Sequence, residues 1–209
     1  MSETRLKILD AAERLFGEEG YKAVSLRRIT AAAGVNLASI HYHFGSKEEL
    51  LDELITRRAA PVNEERLESL QRLKDAAGPN PIALEDLLEA FLVPAFHAAD
   101  RSPEWSKLMG RLHAEGVMPA VARKHFGPVG ERFLVEMRRA LPDMKEDEMA
   151  WRTNFAIGAM AHALSALPLG PALRAVSEPP SDVARRMVAF LSGGFRAPVT
   201  ARETVEVKR

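Results

Sequence analysis

The chain has 209 residues, and 29 Lys and Arg balance 29 Asp and Glu, so it is not a polycation that coats nucleic acid. It has no cysteine, which excludes disulfides and thiolate metal sites. The segment MSETRLKILDAAERLF lacks an apolar signal-peptide core, and no stretch reaches eighteen uninterrupted apolar residues. We therefore expect a soluble cytoplasmic protein of one domain or two small ones.

Apolar residues at helical spacing predict a first helix that ends near Gly20. Its apolar face consists of Leu6, Ile8, Leu9, Ala12, Leu15 and Phe16. After Ser46 a long helical pattern runs to about Lys74, with a kink expected at Pro61.

Further apolar stripes follow the loop at residues 76–81 and predict more helices. They lie at Leu84–Leu92, Trp105–Leu112, Phe133–Leu141 and the Ala- and Gly-rich segment Asp147–Leu167. A Pro-rich loop then precedes a last helix from Ser181 to about Phe195. Strand signals are nearly absent, so the sequence predicts an all-α protein with about nine helices and no sheet.

Three helix starts between Ser25 and Glu49 are predicted from capping chemistry. Ser25 and Asn36 each precede a short helix as an N-cap, and Gly34 fits the left-handed position that ends the first of these helices. Ser46 and Glu49 form a capping box at the start of the long helix. The segment is therefore predicted to be a helix-turn-helix.

The residues from Gly20 to Lys47 include no Asp or Glu, although about four would be expected by chance. The second short helix would turn Ile40 and Phe44 inward and leave an uncharged, partly aromatic face outside. Such a face is poorly suited to water and well suited to the major groove of DNA. The absence of Asp and Glu alone does not identify a DNA-binding surface, because Met149–Ser177 also lacks both residues. We expect burial to explain their absence from that second segment.

The stretch KILDAAERLFGEEGYKAVSLRRITAAAGVNLASIHYHFGSKEELL resembles the N-terminal domain of the tetracycline-repressor (TetR) family of bacterial transcription regulators. The resemblance covers about residues 5–55 and implies an all-helical homodimer whose operator is released when a ligand binds the C-terminal domain. It divides the chain into a DNA-binding domain at 1–47, a ligand-binding and dimerisation domain at 48–197 and a flexible tail at 198–209.

The resemblance, together with the outward face, gives a set of candidate DNA contacts: Ser25, Asn36, Leu37, Ala38, Ser39, His41, Tyr42, His43 and Lys47. Arg27 and Arg28 are further candidates for phosphate contacts, although both could simply solvate their helix. The family usually has Tyr at position 41 and often a polar residue or Lys at position 37. We therefore expect the operator preference to differ from that of relatives at Leu37 and His41.

Bulky side chains interleaved with Gly and Pro in the C-terminal part predict an inter-helical cavity that takes a small-molecule effector. The candidate lining residues are Phe91, Phe96, Trp105, Met109, Arg111, Leu112, His113, Phe133, Met137, Trp151, Arg152 and Phe155. The segments VNLASIHYHFGSK and WRTNFAIGAMAHALSA resemble the fatty-acid-responsive PsrA-like subgroup. That resemblance implies a fatty acid or acyl thioester, with Arg111 and Arg152 as counter-charges; an aromatic, drug-like effector is the competing interpretation.

Small residues in the last two helices predict a four-helix dimer seam. The candidate interface residues are Ala156, Ala159, Ala163, Val183, Met187, Phe190 and Leu191, and packing within one protomer is the alternative.

No catalytic or metal-binding pattern emerges from the sequence. His41 and His43 are two positions apart on a helix and point in different directions, so they cannot share an ion. We expect no cofactor, no metal, no membrane partner and no enzyme activity, and predict a ligand-responsive repressor that binds a pseudo-palindromic operator. A ligand-blind architectural DNA-binding protein and an enzyme fused to a DNA-targeting module are the alternatives.

Overall fold

The computed structural model describes residues 2–164 and 180–198, and all regular secondary structure within these ranges is helical. The helices are α1 Glu3–Glu19, α2 Leu26–Ala33, α3 Leu37–His43, α4 Lys47–Ala77, α5 Leu84–Arg101, α6 Pro103–Ala114, α7 Met118–Val121, α8 Gly127–Ala140, α9 Glu146–Leu164 and α10 Pro180–Arg196. A π-helical turn at Ala122–Phe126 joins α7 directly to α8. The all-α prediction is confirmed, and with α7, the π turn and α8 counted as one run the described part has the nine helical segments expected.

Helices α1 to α3 pack around one apolar cluster with the first half of α4. Ile8, Phe16, Ile29 and Ile40 are fully buried in it, as the apolar stripes predict. Helix α6 belongs to the same cluster, because its residue Leu108 packs against this unit. The N-terminal unit is therefore completed by a helix from much later in the chain.

Ion pairs fix α1 on the first half of α4: Arg5 with Glu53, Asp10 with Arg57, and Glu13 with Arg58. The third pair has the strongest structural consequence, since Glu13 is buried and its Oε2 accepts from Arg58 Nη2 at 2.6 Å. A buried carboxylate needs such a partner, so α1 and the start of α4 are held as one body.

A second apolar cluster lies between α5, α8, α9, α10 and the distal part of α4. Helix α5 is its centre and packs most extensively against α10. Arg152 joins α9 to the end of α10, because its Nη1 donates to the carbonyl oxygens of Gly194 at 2.8 Å and Phe195 at 2.6 Å. Both carbonyls lie in the last turn of α10, where the amides four residues ahead fall outside the helix, so the arginine caps α10; the Gly194 carbonyl also accepts from the Ala197 amide at 3.3 Å.

None of the helices in residues 2–164 and 180–198 is long and apolar enough to cross a membrane. The expected tail at 198–209 and the Pro-rich loop lie almost entirely outside the described residues.

Candidate nucleic-acid interface and internal cavity

The helix-turn-helix is built on the predicted caps. The Ser25 hydroxyl accepts from the Arg28 amide at 3.2 Å, and Asn36 Oδ1 accepts from the Ser39 amide at 2.9 Å. Gly34 ends α2 with φ 67°, a left-handed conformation that favours glycine. These three predictions are confirmed, and they fix the angle between α2 and α3.

The long helix starts with the predicted capping box. The Ser46 hydroxyl accepts from the Glu49 amide at 3.0 Å, and Glu49 Oε2 accepts from the Ser46 amide at 2.9 Å. The end of α3 is thereby tied to the start of α4 within a few residues.

Helix α3 carries an uncharged outer surface, and only Ile40 among its residues is buried. Tyr42 is 85% exposed, and its ring meets that of His43 edge-on at 5.0 Å. Among the other candidate contacts, Ser25, Arg27, Arg28, Asn36, Ala38 and His41 are exposed, and Leu37, Ser39, His43 and Lys47 are half-buried. The candidates therefore lie in accessible positions along one short stretch of chain.

Several of these side chains have partners within the protein. The Asn36 oxygen accepts from both the amide and the hydroxyl of Ser39, so only its NH₂ group is left to donate outward. His41 Nδ1 lies 3.1 Å from the Gly45 carbonyl oxygen, which ties the ring to the end of α3.

Lys47 lies against aromatic rings. Its Nζ is 4.5 Å from the centroid of Tyr21 and 5.8 Å from that of Phe16. Burial lowers the pKa of Lys47 from its ordinary value. A cation stacked in this way helps to join α4 to the end of α1.

The two arginines of α2 differ in their partners. Arg28 forms an ion pair with Glu19 at 3.0 Å, and that carboxylate lies immediately before the acid-free segment. Arg27 is exposed and pairs with no carboxylate among the described residues. Arg27 is therefore the arginine that can reach a phosphate without breaking an ion pair.

A second candidate site is a cavity of about 410 Å³ in the C-terminal part of the chain. Its walls come from α4 to α10, including the π turn, and are almost entirely apolar. Six predicted lining residues do line it: Phe91, Trp105, Met109, His113, Phe133 and Met137. The volume is within the range of small-molecule sites.

The other predicted lining residues lie elsewhere. Phe96 and Leu112 are buried within the packed clusters. The guanidinium of Arg111 donates to the carbonyl of Glu18 at the end of α1, and that of Arg152 caps α10. Neither arginine is available as a counter-charge in the cavity.

Trp151 and Phe155 also lie outside the cavity, with exposures of 61% and 64%. Helix α9 turns Thr153, Ala156 and Met160 towards the cavity instead, and the 3.6-residue period puts the two aromatic residues on another face. Burial therefore does not explain the acid-free segment from Met149 as far as it is described, and residues 165–177 lie outside the described ranges.

Exposed aromatic residues occur on both of the last two helices. Trp151 and Phe155 have ring centroids 5.8 Å apart, and Phe190 of α10 is 74% exposed. Of the predicted interface residues, Ala156 and Leu191 are buried and line the cavity, whereas Ala159, Ala163, Val183 and Met187 are half-buried. Large exposed apolar side chains of this kind mark interaction surfaces.

Sequence reasoning missed Arg66, which lines the cavity from α4 and is only 2% exposed. It lies in a highly charged stretch, NEERLESLQRLKD, where arginine is normally solvated. The available signal was its position between Val62 and Leu70, four residues from each, in the inward stripe of α4. Burial lowers the pKa of Arg66 to about 10, so the side chain is still charged near neutral pH.

Comparison with known proteins gives two family matches. Residues 8–54 match the model for bacterial regulatory proteins of the tetR family, and residues 89–194 match the model for the tetracyclin repressor-like C-terminal domain.

Relatives of known sequence match over part of the chain. The repressor KstR2 of Rhodococcus jostii is 43% identical over 54 residues, which are 26% of this chain and 26% of that protein. The matches to the first three curated relatives span between about a quarter and just over half of their lengths.

Solved structures match over nearly the whole chain but at low identity. FadR of Bacillus subtilis in complex with stearoyl-CoA has a TM-score of 0.65 and 14% identity, covering 90% of this chain and 98% of that one. The ketosteroid transcriptional regulator KstR2 of Mycobacterium tuberculosis has a TM-score of 0.64 and 18% identity, covering 93% and 95%. These likenesses establish the fold.

Proposed function

Because the chain belongs to the TetR family of bacterial transcription regulators, we propose that it is a homodimeric repressor that a small, largely apolar effector releases from a pseudo-palindromic operator. The observation that carries the proposal is the combination of an uncharged exposed helix, α3, with an apolar cavity whose walls include α4 and α6.

The proposed DNA contacts follow from the surface of α3. Small Ala38 permits close approach to base edges, the Asn36 NH₂ can donate to an acceptor in the major groove, and Leu37 can touch a thymine methyl. Tyr42 and Arg27 are suited to phosphates, which position the helix without selecting sequence. Two copies of α3 would then enter successive major grooves.

The proposed dimer contact is the exposed surface of α9 and α10. Trp151, Phe155 and Phe190 are large apolar side chains that water solvates poorly, and a two-fold axis would bury them against the same surface of a second copy. The proposed contact retains Phe190, which the sequence also predicts for the dimer seam, and adds the two aromatic residues of α9. Two other residues predicted for the seam, Ala156 and Leu191, line the cavity and are not part of the proposed contact.

The effector class is proposed from the cavity walls, which suit an acyl chain or another mainly apolar molecule. Fold neighbours are consistent with this class, since one was solved with stearoyl-CoA and another is a ketosteroid regulator. The cavity also favours an effector-responsive regulator over the ligand-blind architectural alternative.

Two helices connect the cavity to the N-terminal unit and could transmit a change in the cavity to α3. Trp105 and Met109 of α6 line the cavity, while the opposite face of α6 packs against α1 at Gly17. Helix α4 lines the cavity with Ala59 and Val62 and begins beside α3. An effector that prefers a different spacing of these helices would shift the population away from the DNA-binding arrangement.

A selected operator provides the test. DNA duplexes enriched from a random library by the wild-type chain should contain an inverted repeat, and fluorescence anisotropy should measure its affinity. Ala38→Glu should weaken this binding by about 100-fold or more, because it places a carboxylate at the groove without disfavouring the helix. The matched control is Ala76→Glu, an exposed position at the far end of α4 that should leave the affinity unchanged. Equal binding by the two variants, or enrichment of no repeat, would contradict the proposal.

A further inference from the structure

Arg66 is a buried cation in an apolar cavity, and no described carboxylate forms an ion pair with it. Its Nε donates to the Phe91 carbonyl at 2.7 Å, and its guanidinium stacks on the Phe91 ring at 4.1 Å. The neighbouring acid Glu65 instead lies 3.6 Å from His97 Nδ1. Charges this deeply buried are normally paired, so Arg66 lacks the counter-ion that its position calls for.

The guanidinium also has unused donors. Beyond the bond from Nε, Nη1 reaches Asn63 Oδ1 at a long 3.4 Å, and Nη2 has the Met160 thioether at 4.0 Å. Sulfur is a weak acceptor, so three of the four Nη hydrogens have no oxygen partner among residues 2–164 and 180–198. A carboxylate accepts two parallel hydrogen bonds from such a fork.

A second polar group in the cavity lining, on α9, lacks a partner. The Thr153 hydroxyl is buried and has no hydrogen-bond partner among the described residues. Thr153 and Met160 lie seven residues apart on α9, which is about 10 Å along a helix. The cavity thus combines a cation beside Met160, a hydroxyl about two turns away and walls that are apolar apart from Ser106, His113 and the exposed Glu131.

We propose that the cavity binds an apolar monocarboxylic acid in its ionised form, with Arg66 as the residue that binds the carboxylate. This inference rests on the proposed function for the role of the cavity. The charge requirement favours the free acid over its thioester, because a thioester carbonyl is neutral and would leave Arg66 without a counter-ion. The apolar walls hold the hydrocarbon part, and the Thr153 hydroxyl can bond to an oxygen carried by that part.

The first experiment compares three probes of one chain length on the full chain: dodecanoate, methyl dodecanoate and dodecanoyl-CoA. Isothermal titration calorimetry should show dodecanoate binding about 10- to 100-fold more tightly than the methyl ester, the range expected for a charge-assisted pair in a buried site. Dodecanoyl-CoA should also bind more weakly than the acid. Equal affinity for the acid and the methyl ester, or tighter binding of the CoA ester, would overturn the inference.

The second experiment uses Arg66→Met, which keeps the apolar contacts and removes the charge. This variant should bind dodecanoate and methyl dodecanoate equally, whereas Arg66→Lys should keep a reduced preference for the acid because it keeps the charge but not the fork. The matched control is Arg72→Met, an exposed position on the same helix, which should bind as the wild type does. A retained preference for the acid in Arg66→Met, with a thermal unfolding curve like that of wild type, would contradict the assignment.

Operator release is measured separately, by adding each probe to the protein–DNA complex. Tight binding of dodecanoate without release would count against the proposed function and leave the assignment of Arg66 intact. Release by methyl dodecanoate and not by dodecanoate would support an effector-responsive regulator and refute the carboxylate site.

Discussion

Gly17 marks a close approach between α1 of the N-terminal unit and α6, which lines the cavity. A Cβ built on Gly17 would lie 3.3 Å from the Leu108 backbone nitrogen and 3.3 Å from Lys107 Cβ. Neither neighbour is the end of a flexible side chain, so the backbone of α1 or α6 must shift by a few tenths of an ångström to accept a methyl group. Gly130 in α8 is the matched position, because a Cβ built there meets nothing within 4 Å.

The expected effects of alanine at these two sites have opposite signs. In a helix interior, alanine stabilises by about 0.5–1 kcal/mol relative to glycine. Crowding a packed interface costs about 1–3 kcal/mol. Gly17→Ala should therefore destabilise by about 1 kcal/mol, whereas Gly130→Ala should stabilise by a little less than that.

Thermal unfolding followed by circular dichroism measures the difference at one fixed protein concentration, because dissociation of the proposed dimer would make Tm concentration-dependent. A change of 1 kcal/mol shifts Tm by about 2–4 °C in a chain of this size. We expect Gly17→Ala to unfold below wild type and Gly130→Ala above it. An increase in Tm for Gly17→Ala equal to that of Gly130→Ala would refute the close packing of α1 on α6.

Two further predictions concern the dimer surface and the α1–α4 junction. Phe155→Glu with Phe190→Glu should convert the proposed dimer to a monomer in light scattering after gel filtration, because both carboxylates would be buried at the interface; an unchanged dimer would refute the proposed contact. Arg58→Met should lower the free energy of unfolding by about 2–3 kcal/mol in urea titration, since it leaves the buried Glu13 carboxylate unpaired. The double variant with Glu13→Gln should recover much of this loss, and a single variant as stable as wild type would contradict the account.

The helix-turn-helix could be predicted in detail because its determinants are local. Ser25, Asn36 and Ser46 each bond to an amide three residues ahead, and Gly34 adopts the conformation that its residue type allows most readily. A sequence displays such short-range chemistry directly. The apolar stripe of α1 is equally informative, because all of its predicted residues except the half-buried Leu6 are buried.

The cavity and the outer surface were harder to predict because they depend on how a helix is turned. Helix α9 carries apolar residues around most of its circumference, so periodicity does not reveal that Trp151 faces outward and Thr153 inward. Arg66 presents the converse problem, since its residue type and charged neighbours indicate a solvated surface, and only its spacing from Val62 and Leu70 indicates burial. Only the packing of α4 against α5 and α9 brings its guanidinium beside Phe91 and Met160.

The contacts of the N-terminal unit constrain how an effector could act. Ion pairs hold α1 to α4, and Arg111 of α6 donates to the carbonyl of Glu18 at 3.1 Å, so both cavity-lining helices are attached to the same rigid body. A displacement of α4 or α6 would therefore rotate the whole helix-turn-helix rather than loosen it. Paired recognition helices must lie about 34–36 Å apart to enter successive major grooves. We accordingly expect the effector to change this separation while the capping bonds of Ser25 and Asn36 persist, which hydrogen exchange of the Arg28 and Ser39 amides would show as unchanged protection.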